Sequence, residues 1–303
     1  MKSNKKLLNR HQKDTLFIIS FLAIPVFLLL VFLYYPSIDG IIMSFQDVKA
    51  YDMYSQKFCG LDNYRKLFSS SLTGVLWKNT FLWLFICVSA EFVMGFGLAL
   101  LLQTDFPGRK LYEAVVFVPW ALSGFVVGVI WKWMFNGSTG VINDILIRFG
   151  FLEKQMGFLS NPDLAIYCVI IAKVWTGMAF FSIVTMAALR TVPKDMYEAA
   201  DIDGANGVQK FFYITIPSIK TLLLLTIMMR SIAMMNAPDL IFGMTAGGPA
   251  GRSHTISSYI MTEVVHGTDY GLISATSVIL WILTLVFAVI YLITTKATKG
   301  SDD

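Results

Sequence analysis

The chain carries, from Leu16 to Tyr35, the uncharged run LFIISFLAIPVFLLLVFLYY. A helix that crosses the hydrocarbon core of a bilayer needs about 20 predominantly apolar residues, and this run is that long. The residues before it are polar and basic, and no small-residue cleavage site follows it. The pattern therefore predicts a retained first membrane helix rather than a cleaved signal peptide.

The composition of the whole chain points to the same environment. Of its 303 residues 56% are hydrophobic and 15% are charged, whereas about 25% charge is usual in soluble domains. The net charge of +4 is small and spread along the sequence, which argues against a nucleic-acid partner. The three cysteines show neither CxxC nor metal-ligand spacing, so neither a disulfide framework nor a metal site is predicted.

Six segments are long and apolar enough to span a membrane. Because lipid-exposed backbone must satisfy its own hydrogen bonds, such runs predict an all-α membrane protein with six transmembrane helices. One transmembrane domain, 16–295, would lie between tails at 1–15 and 296–303. The predicted spans are 16–35, 79–102, 111–135, 164–189, 217–240 and 272–295.

The orientation follows from the lysine and arginine counts of the connecting segments. With the N-terminus inside, the inner segments hold 13 such residues and the longer outer segments hold 8. Cytoplasmic loops carry the excess of positive charge, so both termini are predicted to be cytoplasmic.

One predicted inner segment has an unusual pattern. Arg190–Pro217 reads RTVPKDMYEAADIDGANGVQKFFYITIP. Pro193 can open a short helix, and Asp203-Gly204 ends it because glycine tolerates the positive φ of a sharp turn. A second short helix can follow before the next span. By physical chemistry alone, an ordinary amphipathic loop on the membrane surface fits these features equally well.

The residue pattern of this segment resembles the EAA motif of ABC-importer permeases. It has Glu198-Ala199-Ala200, then Gly204 after three residues, then Ile214-Thr215-Ile216-Pro217 after nine more, with Ile216 where the family has leucine. Other stretches resemble carbohydrate-uptake permeases of the maltose and glycerol-phosphate type, and in particular the larger member of the permease pair. These stretches are Gly60–Tyr64, Trp131–Asn136, Gly140–Asn143 and Gly247–Pro249.

The resemblance implies a fold, a set of partners and a location. The fold would be that of a type I ABC importer transmembrane domain in the bacterial cytoplasmic membrane. The partners would be a second related permease, a dimer of ATPase subunits, an extracytoplasmic solute-binding protein and membrane lipid. A homodimeric permease stays open. This chain has no GxxxxGK[ST] loop, so ATP and Mg would be bound by the ATPase, and no cofactor or catalytic residue is expected here.

The same resemblance assigns an ATPase-coupling role to loop 190–216. Its short helices would dock in a groove of the ATPase subunit, where Glu198 would meet basic groups. The implied coupling residues are Glu198, Ala199, Ala200, Asp203, Gly204, Ile214 and Pro217.

Three ionisable residues, Glu91, Lys173 and Arg230, fall near mid-span. Charges there are costly and normally face a cavity or one another. One alternative is an internal ion pair of Glu91 with either Arg230 or Lys173. The other is that Lys173 and Arg230 line the transport path and attract an anionic substrate, since one carboxylate cannot neutralise two cations.

By the resemblance, two helices would line the sugar path, with Gly177 leaving room for a sugar ring and Phe180 stacking on it. The lining differs from the neutral polar maltose site, which indicates an acidic substrate: a uronate oligosaccharide, a sialic acid or a glycerol phosphate. The predicted path residues are Lys173, Gly177, Phe180, Arg230, Ala233, Met234, Ala237 and Glu91.

A membrane enzyme and a secondary transporter are the two alternative classes of protein. A membrane enzyme is disfavoured because the three histidines lie outside the predicted spans and no HExxH or Ser/His pair occurs. A secondary transporter driven by an ion gradient stays open, with Glu91 as its proton site.

Overall fold

The computed structural model describes residues 10–299, without the side chains of 10–17, 54–55 and 294–299. Residues 1–9 and 300–303 of the two predicted tails lie outside the described residues. The described chain folds into helices joined by short connections, with one two-stranded antiparallel hairpin formed by β1 (Gln46–Lys49) and β2 (Asp52–Phe58).

The helices follow one another along the chain with two π-helical turns, Leu30–Tyr34 and Phe211–Thr215, and one 3-10 turn, Phe158–Ser160. The α-helices are α1 Arg10–Leu29, α2 Tyr35–Met43, α3 Asp62–Ser69, α4 Thr73–Gln103, α5 Arg109–Ala121, α6 Gly124–Met134, α7 Val141–Arg148, α8 Ala165–Leu189, α9 Lys194–Ile202, α10 Gly207–Lys210, α11 Ile216–Met235, α12 Asp239–Met244, α13 Ile256–His266 and α14 Tyr270–Lys299.

Five helical stretches in the described part are long and apolar enough to cross a membrane, and a sixth span arises if the bent pair α5 and α6 counts as one. The prediction of a helical membrane bundle is therefore confirmed, with the β-hairpin as a small exception to the all-α class. The five stretches are Ile18–Met43, Thr73–Gln103, Ala165–Leu189, Gly207–Met235 and Tyr270–Ile293.

The predicted continuous span 111–135 is wrong in one respect, because α5 and α6 meet at an angle of 101°. Leu122 and Ser123 adopt extended backbone, with ψ of 143° and 145°. Pro119 lacks a backbone donor near the end of α5. The Ser123 hydroxyl then caps α6 by accepting from the backbone N–H of Val126 at 3.4 Å. The uniform apolar composition concealed this break.

The predicted span 217–240 is also shifted. α11 ends at Met235, and Pro238 disfavours helical backbone at the residue before it, so Asp239 opens the separate helix α12. At its other end α11 is continuous with α10 through the π-helical turn Phe211–Thr215. The second short helix expected in the coupling segment is thus the first part of a long helix.

The core is centred on the packing of α4 against α8. Gly95 of α4 lies where a Cβ would be 2.5 Å from the Met178 carbonyl oxygen and 2.5 Å from Cβ of Phe181. The absence of a side chain therefore lets the two backbones approach closely, as small residues do at membrane helix contacts. A hydrogen bond also connects α4 to α11, because the Trp83 indole N–H donates to the Met234 carbonyl oxygen at 3.2 Å.

The connection between α12 and α13 is pinned to the start of α4. The Asn79 amide donates to the carbonyl oxygens of Arg252 at 2.7 Å and His254 at 2.9 Å. The His254 ring packs against Gly247 and lies 3.2 Å, through Nδ1, from the Ser258 hydroxyl. Burial lowers the pKa of His254 to about 4.

Gly95→Ala should destabilise the protein, because a methyl group at the α4–α8 contact forces the helices apart, at a cost of about 1–3 kcal/mol. Gly97→Ala is the matched control on the same helix, since no heavy atom lies within 4 Å of its Cβ position. We expect the melting temperature of purified protein to fall for the first variant only. Equal melting temperatures would contradict the close approach.

The low pKa of His254 makes stability depend on pH. The folded value is about 4 and the reference value is 6.5, so between them the unfolded chain binds a proton that the folded chain does not. Stability should therefore fall as the pH is lowered from about 6.5 to about 4, by on the order of 1–3 kcal/mol. Melting temperatures across this range should show a weaker slope for His254→Gln. An unchanged slope would exclude His254 as the source.

Candidate functional site

The interior of the bundle contains an ion pair between α4 and α11. Arg230 donates from Nε to Glu91 Oε2 at 2.7 Å and from Nη2 to Glu91 Oε1 at 3.0 Å. The Glu91 side chain has no exposed surface, and that of Arg230 is 16% exposed. Of the two partners that the sequence left open for Glu91, the structure selects Arg230. The contact is bidentate, which is the strong form of this interaction.

The third helix at this point is α8. A Cβ on Gly177 would lie 1.8 Å from Cδ of Glu91 and 1.9 Å from its Oε1. The space predicted for a sugar ring at Gly177 is therefore filled by the Glu91 carboxylate. One turn further along α8, the Phe180 ring lies under the guanidinium of Arg230, with 5.2 Å from Cζ to the ring centroid. Phe180 thus stacks on a cation of the protein itself.

This contact is energetically important because its members are buried. Removing one partner of a buried ion pair leaves an uncompensated charge and typically costs about 3–5 kcal/mol. The arrangement therefore holds α4, α8 and α11 at a fixed level relative to one another. Glu91, with both oxygens bonded to one guanidinium, is also poorly placed to act as a proton carrier.

Lys173, on the same helix as Gly177, is half-buried and differs from Arg230. Among the described residues its ammonium makes no hydrogen bond or ion pair. It lies within electrostatic range of Arg230, Glu91 and Asp239. Asp239 is therefore a second carboxylate near Lys173, although it forms no ion pair with that ammonium among the described residues. Sequence reasoning missed this role of Asp239 because it placed the residue at the end of a span.

The remaining predicted path residues lie at or just beyond the end of α11. Ala233 is exposed and Ala237 is half-buried. Met234 is 1% exposed and belongs to the core, where its carbonyl oxygen accepts from Trp83. In this conformation Met234 is therefore a packing residue rather than one that lines an open path.

The segment after α8 forms an exposed helix and turn. Pro193 lies directly before α9, which ends at Ile202. Gly204 has φ of +77°, and no heavy atom lies within 4 Å of its Cβ position. Glycine is needed there for its backbone conformation and not for space. The expectation of a positive φ at Gly204 is confirmed.

The predicted coupling residues divide by exposure. Glu198 and Ala199 on α9 and Asp203 and Gly204 in the turn are exposed, as is Pro217 on α11, whereas Ala200 is buried and Ile214 is half-buried.

Three polar contacts order this segment, and one of them reaches the π-helical turn that precedes α11. The Tyr197 hydroxyl lies 2.8 Å from Oγ1 of Thr215, in the π-helical turn. Lys210 forms an ion pair with Asp201 across the turn. Asn206 and Gln209 form a capping box that starts α10, with hydrogen bonds of 2.8 and 2.9 Å. The turn is therefore bonded to the continuous helix 207–235, which carries Arg230.

Large apolar side chains are exposed around this turn. Ile202 is 88% exposed, Val208 67% and Tyr213 80%. Sequence reasoning did not single out these residues. The available signal was the presence of such side chains in an otherwise polar segment. A contiguous exposed apolar surface commonly marks a protein contact.

Aromatic contacts connect the interior ion pair to this turn. The ring next to Arg230 is followed by further rings from α8, α4 and the π-helical turn, with centroid separations of 5.7, 5.6, 5.7, 6.0 and 5.1 Å. In order, the rings are Phe180, Phe181, Phe92, Phe96, Phe211 and Phe212. The two regions that the sequence predicted are thus in physical contact through one row of side chains.

Comparison with known proteins assigns the chain to a family. Residues 91–299 match the model of the binding-protein-dependent transport system inner membrane component. The chain is 31% identical over 279 residues to the sulfoquinovosyl glycerol transport system permease protein of Agrobacterium fabrum, covering 92% of this chain and 90% of that protein. It is 34% identical over 238 residues to the trehalose/maltose transport system permease protein of Thermococcus litoralis, covering 78% and 79%.

Among solved structures, the chain is similar to one of a bacterial ABC transporter involved in the import of the acidic polysaccharide alginate. The TM-score is 0.76 at 25% identity, covering 94% of this chain and 96% of that chain. The relatives are named as transport components and not as enzymes. The chain is therefore a multi-pass protein of the cytoplasmic membrane, and it belongs to the binding-protein-dependent inner membrane components, as a sugar permease of an ABC importer.

Proposed function

We propose that this chain is one half of a permease heterodimer that carries a sugar or oligosaccharide with an acidic group into the cell. Its partners are a second related permease, two ATPase subunits that bind ATP and Mg, and an extracytoplasmic solute-binding protein. Both termini lie in the cytoplasm, so that the turn at Gly204 faces the ATPase. Family membership supports the dependence on a binding protein.

The observation that carries the coupling role is the exposed turn between α9 and α10. It presents the carboxylate of Glu198 and the apolar side chains of Ile202 and Val208 to the solvent. A docking partner with an apolar groove and basic rim would fit both features. Because the turn is bonded to the π-helical start of α11, a displacement of the turn moves the helix that carries Arg230.

The acidic substrate is supported by two observations. Lys173 is a half-buried ammonium without a direct partner among the described residues. A chain from an ABC transporter involved in the import of the acidic polysaccharide alginate has a similar structure, and the similarity covers 94% of this chain. The candidate classes remain a uronate oligosaccharide, a sialic acid and a glycerol phosphate. Lysine binds each of these anions as a point charge.

The rival secondary transporter with Glu91 as proton site loses its support. Glu91 is bonded to Arg230 through both oxygens, and the family is one of binding-protein-dependent transport. Purification of the tagged chain from its native membrane should therefore bring down a nucleotide-binding subunit. Purification of this chain without any such subunit would favour the rival.

Glu198→Lys and Gly204→Asp should each reduce uptake by about tenfold or more, because they place a like charge or a strained backbone at the docking surface. Glu198 is exposed and no heavy atom lies within 4 Å of the Cβ position of Gly204, so both variants should reach the membrane in normal amounts. Uptake of labelled sugar and the amount of membrane-inserted protein are the two measurements.

Gly207→Ala is the matched control for these variants. It lies in the same segment, has no positive φ, and has no heavy atom within 4 Å of its Cβ position. It should transport as the unaltered protein does. Normal uptake by both Glu198→Lys and Gly204→Asp would contradict the coupling role.

The acidic substrate is tested on the solute-binding protein of the same importer. A panel of matched neutral and acidic glycans should show tighter binding of the acidic members, by about tenfold or more for one charge-assisted contact. Calorimetry gives the dissociation constants. Binding of neutral glycans alone would contradict the acidic substrate and leave the permease role intact.

A further inference from the structure

The guanidinium of Arg230 is already occupied by groups of the protein. Its Nε and Nη2 edge is filled by Glu91, at 2.7 and 3.0 Å, and one face lies against the Phe180 ring. An anion that approached Arg230 would also meet the charge of Glu91 at contact distance. Arg230 is therefore a poor candidate for binding an acidic substrate in this conformation.

The seat of the Glu91 carboxylate is made by Gly177. Any side chain at position 177 would overlap the carboxylate, since a Cβ there lies 1.8 Å from Cδ. Glycine leaves open the one position from which a fully buried Glu91 meets both nitrogens of Arg230. The absence of a side chain at Gly177 therefore makes room for the internal ion pair.

Lys173 lies on the same helix, one turn before Gly177, and remains available. An ammonium has three donors, and among the described residues none of them is used by a hydrogen bond or ion pair. The charged groups that act on it are Arg230, Glu91 and Asp239. Arg230 and Glu91 neutralise each other as an ion pair, and among the described residues Asp239 forms no ion pair with Lys173. A single point charge of this kind accepts a carboxylate, sulfonate or phosphate alike, whereas an arginine fork favours planar bidentate partners.

We propose that Glu91, packed against Gly177, is a positioning residue that holds Arg230 in an ion pair linking α4, α8 and α11; this ion pair is called the staple below. Lys173 is then the cation that recognises the acidic group of the substrate. The recognition part of this inference rests on the proposed function, and the staple does not. The substrate class is then a sugar with one tetrahedral or planar anionic group near Lys173, not one selected by a guanidinium fork.

A thermodynamic cycle tests the staple without any substrate. The purified complex of this chain with its partners is melted as the unaltered form, Glu91→Gln, Arg230→Gln and the double variant. Each single variant leaves one buried charge unpaired, so the double variant should melt higher than either single variant. Gly177→Ala should lower the melting temperature as a single variant does. Additive effects of the two glutamine substitutions would overturn the staple.

Binding of two probes to the same complex in nanodiscs, without the binding protein, tests recognition. The probes are a trisaccharide of uronic acids and its methyl ester. The unaltered complex should prefer the acid by about tenfold, the factor expected from one charge-assisted hydrogen bond. Lys173→Gln should abolish this preference without changing the affinity for the ester, and the control Lys173→Arg should keep it.

The double variant Glu91→Gln/Arg230→Gln distinguishes recognition of the acid by Lys173 from recognition by Arg230. It should keep the preference for the acid within about twofold, since Arg230 does not read the substrate. Loss of the preference in this variant, with Lys173→Gln unaffected, would assign recognition to Arg230 and overturn the proposal. An unaltered complex without preference would overturn the acidic substrate and the role of Lys173, while the melting cycle decides the staple.

Discussion

A carboxylate with no exposed surface must be neutralised where it lies, and in this protein the guanidinium of Arg230 does so for Glu91. The ion pair joins α4 to α11, and the Glu91 carboxylate packs against Gly177 of α8. Three membrane helices are therefore held at one level by an interaction that tolerates little displacement, because hydrogen bonds weaken steeply with geometry. The row of aromatic rings extends from this point to the π-helical turn before α11, so packed side chains connect the ion pair to the base of the exposed segment.

Much of the fold could be predicted from hydropathy alone, because lipid allows few alternatives to helices of this length. The break in the third segment could not, since Leu122 and Ser123 lie inside an apolar run and only the order Pro119, Ser123, Gly124 marks it. Composition describes how much of a segment is apolar, whereas a bend depends on single backbone angles. The end of α11 was misplaced for the same reason.

The sequence allowed the residues of the site to be predicted, but not all of the contacts between them. Spacing placed Glu91, Lys173 and Arg230 near mid-span, but it carries no distances between helices, so the partner of Glu91 stayed open. Gly177 was interpreted as space for a ligand, and the structure fills that space with a carboxylate. A glycine in a membrane helix signals a close approach, and only the three-dimensional arrangement says by what.

The charges of the interior also show why a count of cations says little about the substrate. The charges of Arg230, Glu91 and Asp239 all act on Lys173, so the interior holds two positive and two negative charges within electrostatic range. Asp239, like Glu91, rests against a glycine, since a Cβ on Gly124 would lie 1.9 Å from its Oδ2. Both carboxylates are thus fixed by close packing, and neither forms an ion pair with Lys173 in the described chain. The charge at this level of the bundle therefore depends on local geometry and not on the net charge of the chain, because the described ammonium donors are free while both carboxylates are fixed.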